Sequence, residues 1–143
     1  MSTVLPAGLA RPLPSPDGLD APYWEATRRH ELRVQRCARC GTYRWSPEWL
    51  CYQCHSFAIE WITIEPTGVL FSWQRIWHPV APALANAVPY VNLLIELPQA
   101  GNVRMIGNYA GDPTDRVVIG TPMCAVFEDH DDAEVPYTLV QWR

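Results

Sequence analysis

The chain has 143 residues, 48% of them hydrophobic, which is enough for one large domain or two small ones. No apolar stretch approaches the roughly 20 residues that cross a bilayer, and the first residues lack the features of a secretory signal, so we expect a cytoplasmic protein without a membrane partner. The net charge is −4, there is no lysine, and residues 45–143 carry four arginines against eleven acidic residues, which argues against nucleic-acid binding.

Two segments precede the first cysteine. Residues 1–19 are rich in proline, glycine, serine and alanine, which suits an extended arm that orders on a partner. Residues 20–36 are predicted to form an N-terminal amphipathic helix with Pro22 in its first turn. Such a short helix is marginal alone, so we expect its Tyr23 and Trp24 end to pack against another part of the protein.

Four of the five cysteines form two Cys-x2-Cys pairs, namely Cys37, Cys40, Cys51 and Cys54. This spacing lets four thiolates converge on one tetrahedral zinc ion, and Gly41 suits the tight turn that follows such a pair. Unliganded thiols and a redox pair are the alternatives, but the redox pair lacks the βαβ pattern expected around it. Because four thiolates fill the coordination sphere, the sequence predicts a structural zinc ribbon over residues 37–60.

From residue 60 onward, short runs of strand-forming residues alternate with turn residues. Alternation within 69–78 predicts that Val69, Phe71, Trp73 and Trp77 share one face. Further strands are predicted at 60–64, 90–97, 103–109, 117–119, 123–129 and 137–142. Short strands, small turns and little helix predict a closed or nearly closed barrel over residues 61–143.

The sequence offers little catalytic chemistry. The spare thiol, Cys124, lies in a strand-like run and is predicted to be a small buried core residue rather than a nucleophile. The histidines share no triad or metal spacing. The acidic run 128–134 lacks the ligand periodicity of a calcium loop and is predicted to be a solvated turn. We therefore predict no catalytic residues.

A binding surface is the remaining candidate, beside the proline-rich loop 79–89. Its predicted residues are Trp73, Trp77, His78, Tyr90 and Asn108, which cluster if the flanking strands pair. For Trp73 a place in the core is an equally open interpretation. His78 is expected to form hydrogen bonds in the loop rather than act as an acid or base.

The segments PYWEATRRHELRVQRCARC, CYQC, GVLFSW, PYVNLLIEL and VIGTPMCAVFED together resemble the acyl-CoA-associated family called domain of unknown function thirty-five. The resemblance covers about residues 20–142. It implies a mainly β protein with an N-terminal helix, a rubredoxin-like zinc ribbon and an OB-fold barrel of five or six strands. Proteins of that family are usually small partners of thiolase-fold enzymes, including the thiolases and retro-aldolases of steroid side-chain and aromatic-acid breakdown, or of MaoC-type hydratases.

The resemblance also implies a division of labour. A thiolase-like chain carries the catalytic residues, while this chain docks beside it in a hetero-oligomer and helps to enclose the acyl-CoA. Four arginines then meet CoA phosphates or an acidic partner surface: Arg28, Arg29, Arg33 and Arg36. The alternatives are a partner of a MaoC-type enoyl-CoA hydratase, a single-stranded nucleic-acid-binding OB-fold protein, and an independent enzyme that uses Cys124.

Overall fold

A computed structural model describes residues 3–6, 8–9 and 11–143 of the chain. Within those residues the protein is mainly β, with one α-helix and eight strands in a three-stranded and a five-stranded sheet. No helix of the described part is long and apolar enough to cross a membrane.

The single helix, α1, spans Ala21–Thr27 and has Pro22 in its first turn, where the missing N–H breaks no helical bond. The chain leaves the helical conformation at His30, whose φ of 57° is left-handed. Strand β1 follows as Leu32–Cys37. The prediction of a helix over 20–36 is therefore wrong in its second half, because those residues form a strand with partners on both sides.

The ribbon sheet has β1 at its centre, between β2 (Tyr43–Arg44) and β3 (Ile59–Ile64). Every residue of β1 is paired with a residue of β3 in antiparallel register. This long-range pairing favours the strand over the helix that local periodicity suggests. The predicted boundary between ribbon and barrel at residue 60 falls inside β3, and the domain limits stay a prediction.

Five strands form the barrel: β4 (Thr67–Ile76), β5 (Tyr90–Leu97), β6 (Val103–Asn108), β7 (Pro122–His130) and β8 (Tyr137–Trp142). Their order is β6-β5-β4-β7-β8, and all neighbours are antiparallel. A bridge between Tyr109 and Trp142 brings the two edges together, so the barrel is nearly closed, which confirms the predicted fold class.

A bulge in β4 changes which side chains share a face. The register between β4 and β5 skips Phe71. Because an extra residue reverses the alternation of a strand, Val69 lies opposite Glu96, whereas Trp73 lies opposite the buried Leu93. The prediction that Val69 and Trp73 share a face is therefore wrong.

One cluster of buried apolar side chains joins the helix, the ribbon sheet and the barrel. Its members include Tyr23 of α1, Leu32, Val34 and Ile64 of the ribbon sheet, and Leu70, Leu93, Met105 and Trp142 of the barrel. Gly107 is needed beside this cluster, because a Cβ there would lie 2.6 Å from Cδ1 of Trp142. Ribbon and barrel thus share one core.

Three further predictions in the C-terminal half are wrong. The run 117–119 is a loop rather than a strand. Cys124 is exposed, because neighbouring strand residues point to opposite faces and Met123 points into the core. The acidic run begins inside β7, where Glu128 is only 3% exposed, so it is not wholly a solvated turn.

Candidate metal centre and binding surfaces

The four predicted zinc ligands come together at the end of β1, whose last residue is Cys37. The Sγ atoms of Cys37, Cys40, Cys51 and Cys54 all lie within 4.8 Å of one another. The Cys37–Cys54 and Cys40–Cys51 Sγ distances are both 3.6 Å. Four sulfurs at the usual bond length from a tetrahedral zinc ion are roughly 3.8 Å apart. The donor set therefore fits zinc in both chemistry and spacing.

Each cysteine pair lies on a tight turn of the same form. The Gly41 N–H donates to the Cys37 carbonyl at 2.8 Å, and the His55 N–H donates to the Cys51 carbonyl at 2.9 Å. Gly41 and His55 both have left-handed φ angles, of 76° and 56°. His55 is thus the counterpart of Gly41, and its exposed side chain is a surface group rather than a ligand.

The thiols differ in how readily they lose a proton. Hydrogen bonds from the side chain and backbone of Thr42 lower the pKa of Cys40 to about 6. A backbone hydrogen bond from Cys40 lowers the pKa of Cys37. Burial raises the pKa of Cys54 to about 11. Because zinc binds thiolates, metal binding near neutral pH displaces a proton from Cys54.

Trp73 and Trp77 flank an arginine that sequence reasoning missed. The Arg75 Cζ atom lies 5.2 Å from the ring centroid of Trp73 and 6.0 Å from that of Trp77. Arg75 Nε also donates to the Pro113 carbonyl at 2.7 Å. The W-x-R-x-W spacing could have predicted this arrangement, since alternate residues of a strand share a face. Trp77 is 60% exposed and the adjacent His78 is exposed too.

The other two predicted binding residues line separate cavities. Tyr90 lines a cavity of about 330 Å³ that Glu128 also borders. Asn108 lines a cavity of about 570 Å³ whose walls include Trp24 and Trp45. The five residues predicted to form one binding surface therefore do not line one cavity. Each of them is at least partly exposed to solvent.

The described part of the N-terminal arm lies against β7, while residues 1, 2, 7 and 10 are outside the described residues. The Val4 N–H donates to Glu128 Oε2 at 2.8 Å, and Arg11 Nη1 lies 3.2 Å from His130 Nε2. Glu128 Oε1 lies 2.8 Å from the same ring nitrogen. The arm thus contacts the chain's own barrel, where the sequence suggested ordering on a partner.

The four arginines predicted to meet phosphates or a partner lie beside acidic groups of the chain itself. The pairs are Arg28–Asp131 at 2.8 Å, Arg29–Glu31 at 3.3 Å, Arg33–Glu31 at 3.6 Å and Arg36–Glu60 at 2.6 Å. Such exposed pairs contribute little to stability, because water and dissolved salt screen the charges.

Large apolar side chains of the ribbon divide into two groups. Trp45 packs against Tyr23 of α1, with ring centroids 4.7 Å apart. Others are exposed, namely Trp49, Leu50, Tyr52 and Phe57. Trp49, Leu50 and Tyr52 are also close in the chain, and exposed apolar residues of this size are typical of surfaces that contact another protein.

Two family models match consecutive parts of the chain. The model described as "ChsH2, rubredoxin-like zinc ribbon domain" matches residues 24–60, and the one described as "ChsH2, C-terminal OB-fold domain" matches residues 61–128. Together with the four clustered thiols, the ribbon match identifies the cysteines as a structural zinc site. A tetrathiolate site leaves no open position for a reactive water.

Two curated relatives match almost the whole chain but are much longer. The "Probable enoyl-CoA hydratase alpha subunit" of Thermomonospora curvata is 36% identical over 93% of this chain and 40% of its own length. The "3-oxo-4,17-pregnadiene-20-carboxyl-CoA hydratase alpha subunit" of Mycobacterium tuberculosis is 33% identical over 96% of this chain and 41% of its own length. This chain therefore spans about two fifths of these relatives.

Solved structures extend the likeness to three dimensions. A chain described as "Ltp2-ChsH2(DUF35) aldolase" is 33% identical with a TM-score of 0.76, over 93% of this chain and 98% of that chain. A DUF35-family protein of unknown function from Sulfolobus solfataricus has the same fold, with a TM-score of 0.55, 18% identity and 78% of each chain covered. The chain belongs to the ChsH2 (DUF35) family of zinc-ribbon and OB-fold proteins.

Proposed function

We propose that this chain is a non-catalytic accessory subunit that docks on a thiolase-fold acyl-CoA enzyme, a thiolase or retro-aldolase, and helps to enclose the acyl-CoA. The observation that carries the proposal is the similarity over 98% of the DUF35 chain of the Ltp2-ChsH2 aldolase. The pregnadiene carboxyl-CoA in the name of the mycobacterial relative supports steroid side-chain breakdown as the pathway. The proposed location is the cytoplasm.

The chemistry of the metal centre supports a non-catalytic role. Zinc held by Cys37, Cys40, Cys51 and Cys54 supplies a cross-link that fixes the ribbon. Because all four ligands are thiolates, the ion has no free position at which a substrate oxygen or a water is activated. The ribbon then contributes shape, and the reacting groups come from the catalytic partner.

The proposed acyl-CoA contacts are aromatic side chains that line cavities or lie on the surface. A pantetheine arm is thin, mostly apolar and carries amides, so it suits aromatic walls with a few polar groups. The cavity at Asn108 has such walls in Trp24 and Trp45. The exposed indole of Trp77 and the ring of Tyr90 offer further aromatic contacts outside that cavity.

A second candidate partner is a MaoC-type enoyl-CoA hydratase. Both curated relatives are named hydratase alpha subunits, and in each the matched part is only 40% or 41% of the length. The name of the full relative thus includes a hydratase activity, to which the matched segment would contribute a docking and enclosing role.

Co-expression distinguishes these partners. The chain is produced with each thiolase-fold and each MaoC-type chain of its genome, and the mass of the purified product is measured by light scattering and native mass spectrometry. We expect a hetero-oligomer with a thiolase-fold chain. A stable complex with a MaoC-type chain alone would select the second candidate. A monomer that binds none of them would refute both.

Nucleic-acid binding is tested separately by titration with a single-stranded oligonucleotide at low salt. The proposal predicts no binding, because residues 45–143 carry an excess of acidic groups. Tight binding that weakens steeply with added salt would instead favour the OB-fold alternative.

A further inference from the structure

Arg44, on the edge strand β2 of the ribbon sheet, is buried and has no hydrogen-bond partner in the described part of the chain. The residue is only 3% exposed. Among the residues that the structure describes, none accepts a hydrogen bond from Arg44 Nε, Nη1 or Nη2. A guanidinium stays protonated in proteins, so this is a buried positive charge without an acceptor.

Gln35 adds a further unpaired donor beside it. Gln35 lies directly opposite Arg44 in the β1–β2 register, so the two side chains are on the same face of the ribbon sheet. Gln35 is fully buried, and its Oε1 accepts a hydrogen bond from the Glu48 N–H at 3.0 Å. Its Nε2 has no acceptor within the described part of the chain.

Four buried nitrogens on neighbouring side chains are therefore donors that have no acceptor among the described residues. Buried polar groups are hydrogen-bonded in nearly all proteins, and an unpaired buried charge is especially unfavourable. The chemistry that completes this site is an oxygen anion with two acceptor atoms. A carboxylate fits, because its geometry matches the fork of a guanidinium.

A cavity of about 350 Å³ leads to Arg44 from the surface. It lies between the ribbon and the turn that joins β5 to β6, with Tyr43, Glu48 and Tyr52 among its walls. Glu48 and Tyr52 are exposed, so their side chains are free to turn aside. Trp49 and Leu50, between them in the chain, are exposed as well.

Tyr43 and Tyr52 line the cavity at Arg44, and a buried arginine beside aromatic side chains has the make-up of a binding hot spot. A partner that covers these rings would exclude water from the centre, where a charged hydrogen bond is strongest. The Arg44 guanidinium is positively charged, and the unpaired nitrogens of Arg44 and Gln35 are all donors, so the complementary group is an acidic one. An acidic side chain on a protein surface that also covers Trp49 and Tyr52 meets both demands.

We propose that Arg44 and Gln35 form the receiving site for an aspartate or glutamate of the catalytic partner, within a docking surface formed by the exposed ribbon residues Glu48, Trp49, Leu50 and Tyr52. This inference rests on the proposed function, because it names where the partner binds. A partner carboxylate there would neutralise the charge of Arg44, for which the described part of the free chain offers no hydrogen-bond acceptor.

The experiment uses the full zinc-loaded chain and the catalytic chain recovered by co-expression. Dissociation constants and melting temperatures are measured for Gln35→Glu, Arg44→Met, Arg44→Lys and Glu48→Gln. Gln35→Glu is the most informative variant, because it is nearly isosteric and places the missing carboxylate opposite Arg44 within the chain. Arg116→Met, which removes an exposed arginine of the barrel, is the matched control.

We expect Gln35→Glu to raise the melting temperature of the free chain by about 5 °C and to weaken partner binding by about 30-fold. Arg44→Met and Arg44→Lys are expected to weaken binding to a similar extent, with no loss of melting temperature for Arg44→Met. Arg116→Met should leave both quantities unchanged. If Arg44→Met fails to fold, the other two variants still decide the matter.

Several outcomes would overturn the inference. Unchanged affinity in Gln35→Glu and Arg44→Lys would place the partner elsewhere while leaving the proposed function intact. A large loss of melting temperature in Glu48→Gln would show that Glu48 already neutralises Arg44 in the free chain. If the wild-type chain itself binds no catalytic partner, the proposed function and this inference fail together.

Discussion

Cys40 and Thr42 show how single residues prepare the metal site. The thiol of Cys40 lies 3.1 Å from the hydroxyl of Thr42, and this contact holds its pKa near 6, whereas burial raises that of Cys54. One ligand is thus ready as a thiolate before metal arrives, and another is deprotonated only when zinc binds. The ribbon has little core of its own, so the metal supplies much of its stability.

Replacing Cys40 by serine is therefore expected to release zinc and unfold the ribbon, since structural zinc contributes on the order of 10 kcal/mol of coupled folding energy in small domains. Zinc content by mass spectrometry and tryptophan circular dichroism measure the two effects. Cys124→Ser is the matched control, because Cys124 is an exposed cysteine outside the cluster. Stoichiometric zinc and wild-type stability in Cys40→Ser would contradict the assignment.

Asp129 gives the protein a defined response to acid. Its pKa is lowered chiefly by the hydrogen bond from the Thr138 hydroxyl, at 2.6 Å, and further by His30 and Arg28. A carboxyl group with a lowered folded-state pKa stabilises the fold above its unfolded pKa, near 3.8, and this stabilisation is lost as the pH falls through the folded value.

Thr138→Val removes that hydroxyl at nearly constant volume. We expect a loss of about 1 kcal/mol in the free energy of unfolding at pH 7, which shrinks as the pH approaches 3. Urea unfolding at pH 7, 5 and 3 measures it, with Thr138→Ser as the variant that keeps the hydroxyl. A difference that stays constant over this range would disprove the role of Asp129.

For single residues, the sequence predicted the zinc ligands, which depend on local spacing. It did not predict which polar residues are buried, because that depends on the pairing of distant strands. The four cysteines were predictable because two Cys-x2-Cys pairs have few other uses. The burial of Arg44 follows from its pairing opposite Gln35, and that of Glu128 from the pairing of β7 with β8. Neither pairing can be read from residues adjacent in the chain.

At the scale of elements, the main difference between sequence and structure is the segment after α1. Residues 28–36 have the charge pattern of an amphipathic helix, yet β1 forms because each of its residues finds a partner on β3. The strands over 90–97 and 137–142 were predicted at their observed limits, because both are runs of strand-forming residues bounded by turn residues, and burial alternates along the first of them. The bulge at Phe71 could not be foreseen, since it depends on the register with β5.

The two zinc turns make a prediction about backbone conformation. His55 holds a left-handed φ of 56° at the position that glycine occupies in the first turn. His55→Gly is expected to stabilise the zinc-loaded protein by up to about 1 kcal/mol, and His55→Val to destabilise it by about 1–2 kcal/mol, because a β-branched residue is strained there. Urea unfolding at saturating zinc measures both.

Gly41→Val tests the same geometry in the first turn and should cost as much as His55→Val or more. Equal stability of His55→Gly and His55→Val would mean that the left-handed conformation is not required at this turn.

At the scale of the whole molecule, one core unites the helix, the ribbon sheet and the barrel, so the ribbon is held in a fixed place beside the barrel. The aromatic side chains of Trp49 and Tyr52 in the ribbon are exposed to solvent. The chain thus combines a zinc ribbon with exposed aromatic side chains, which we propose as the contact for a protein partner. Reacting groups are expected on the partner.

The most direct test of this account is steady-state turnover of an acyl-CoA substrate by three preparations: the zinc-loaded chain alone, the thiolase-fold partner alone, and the reconstituted complex. We expect no turnover by the chain alone and full turnover by the complex, with the partner alone impaired in activity or solubility. Turnover by the isolated chain, or a partner that is fully active and soluble without it, would contradict the account.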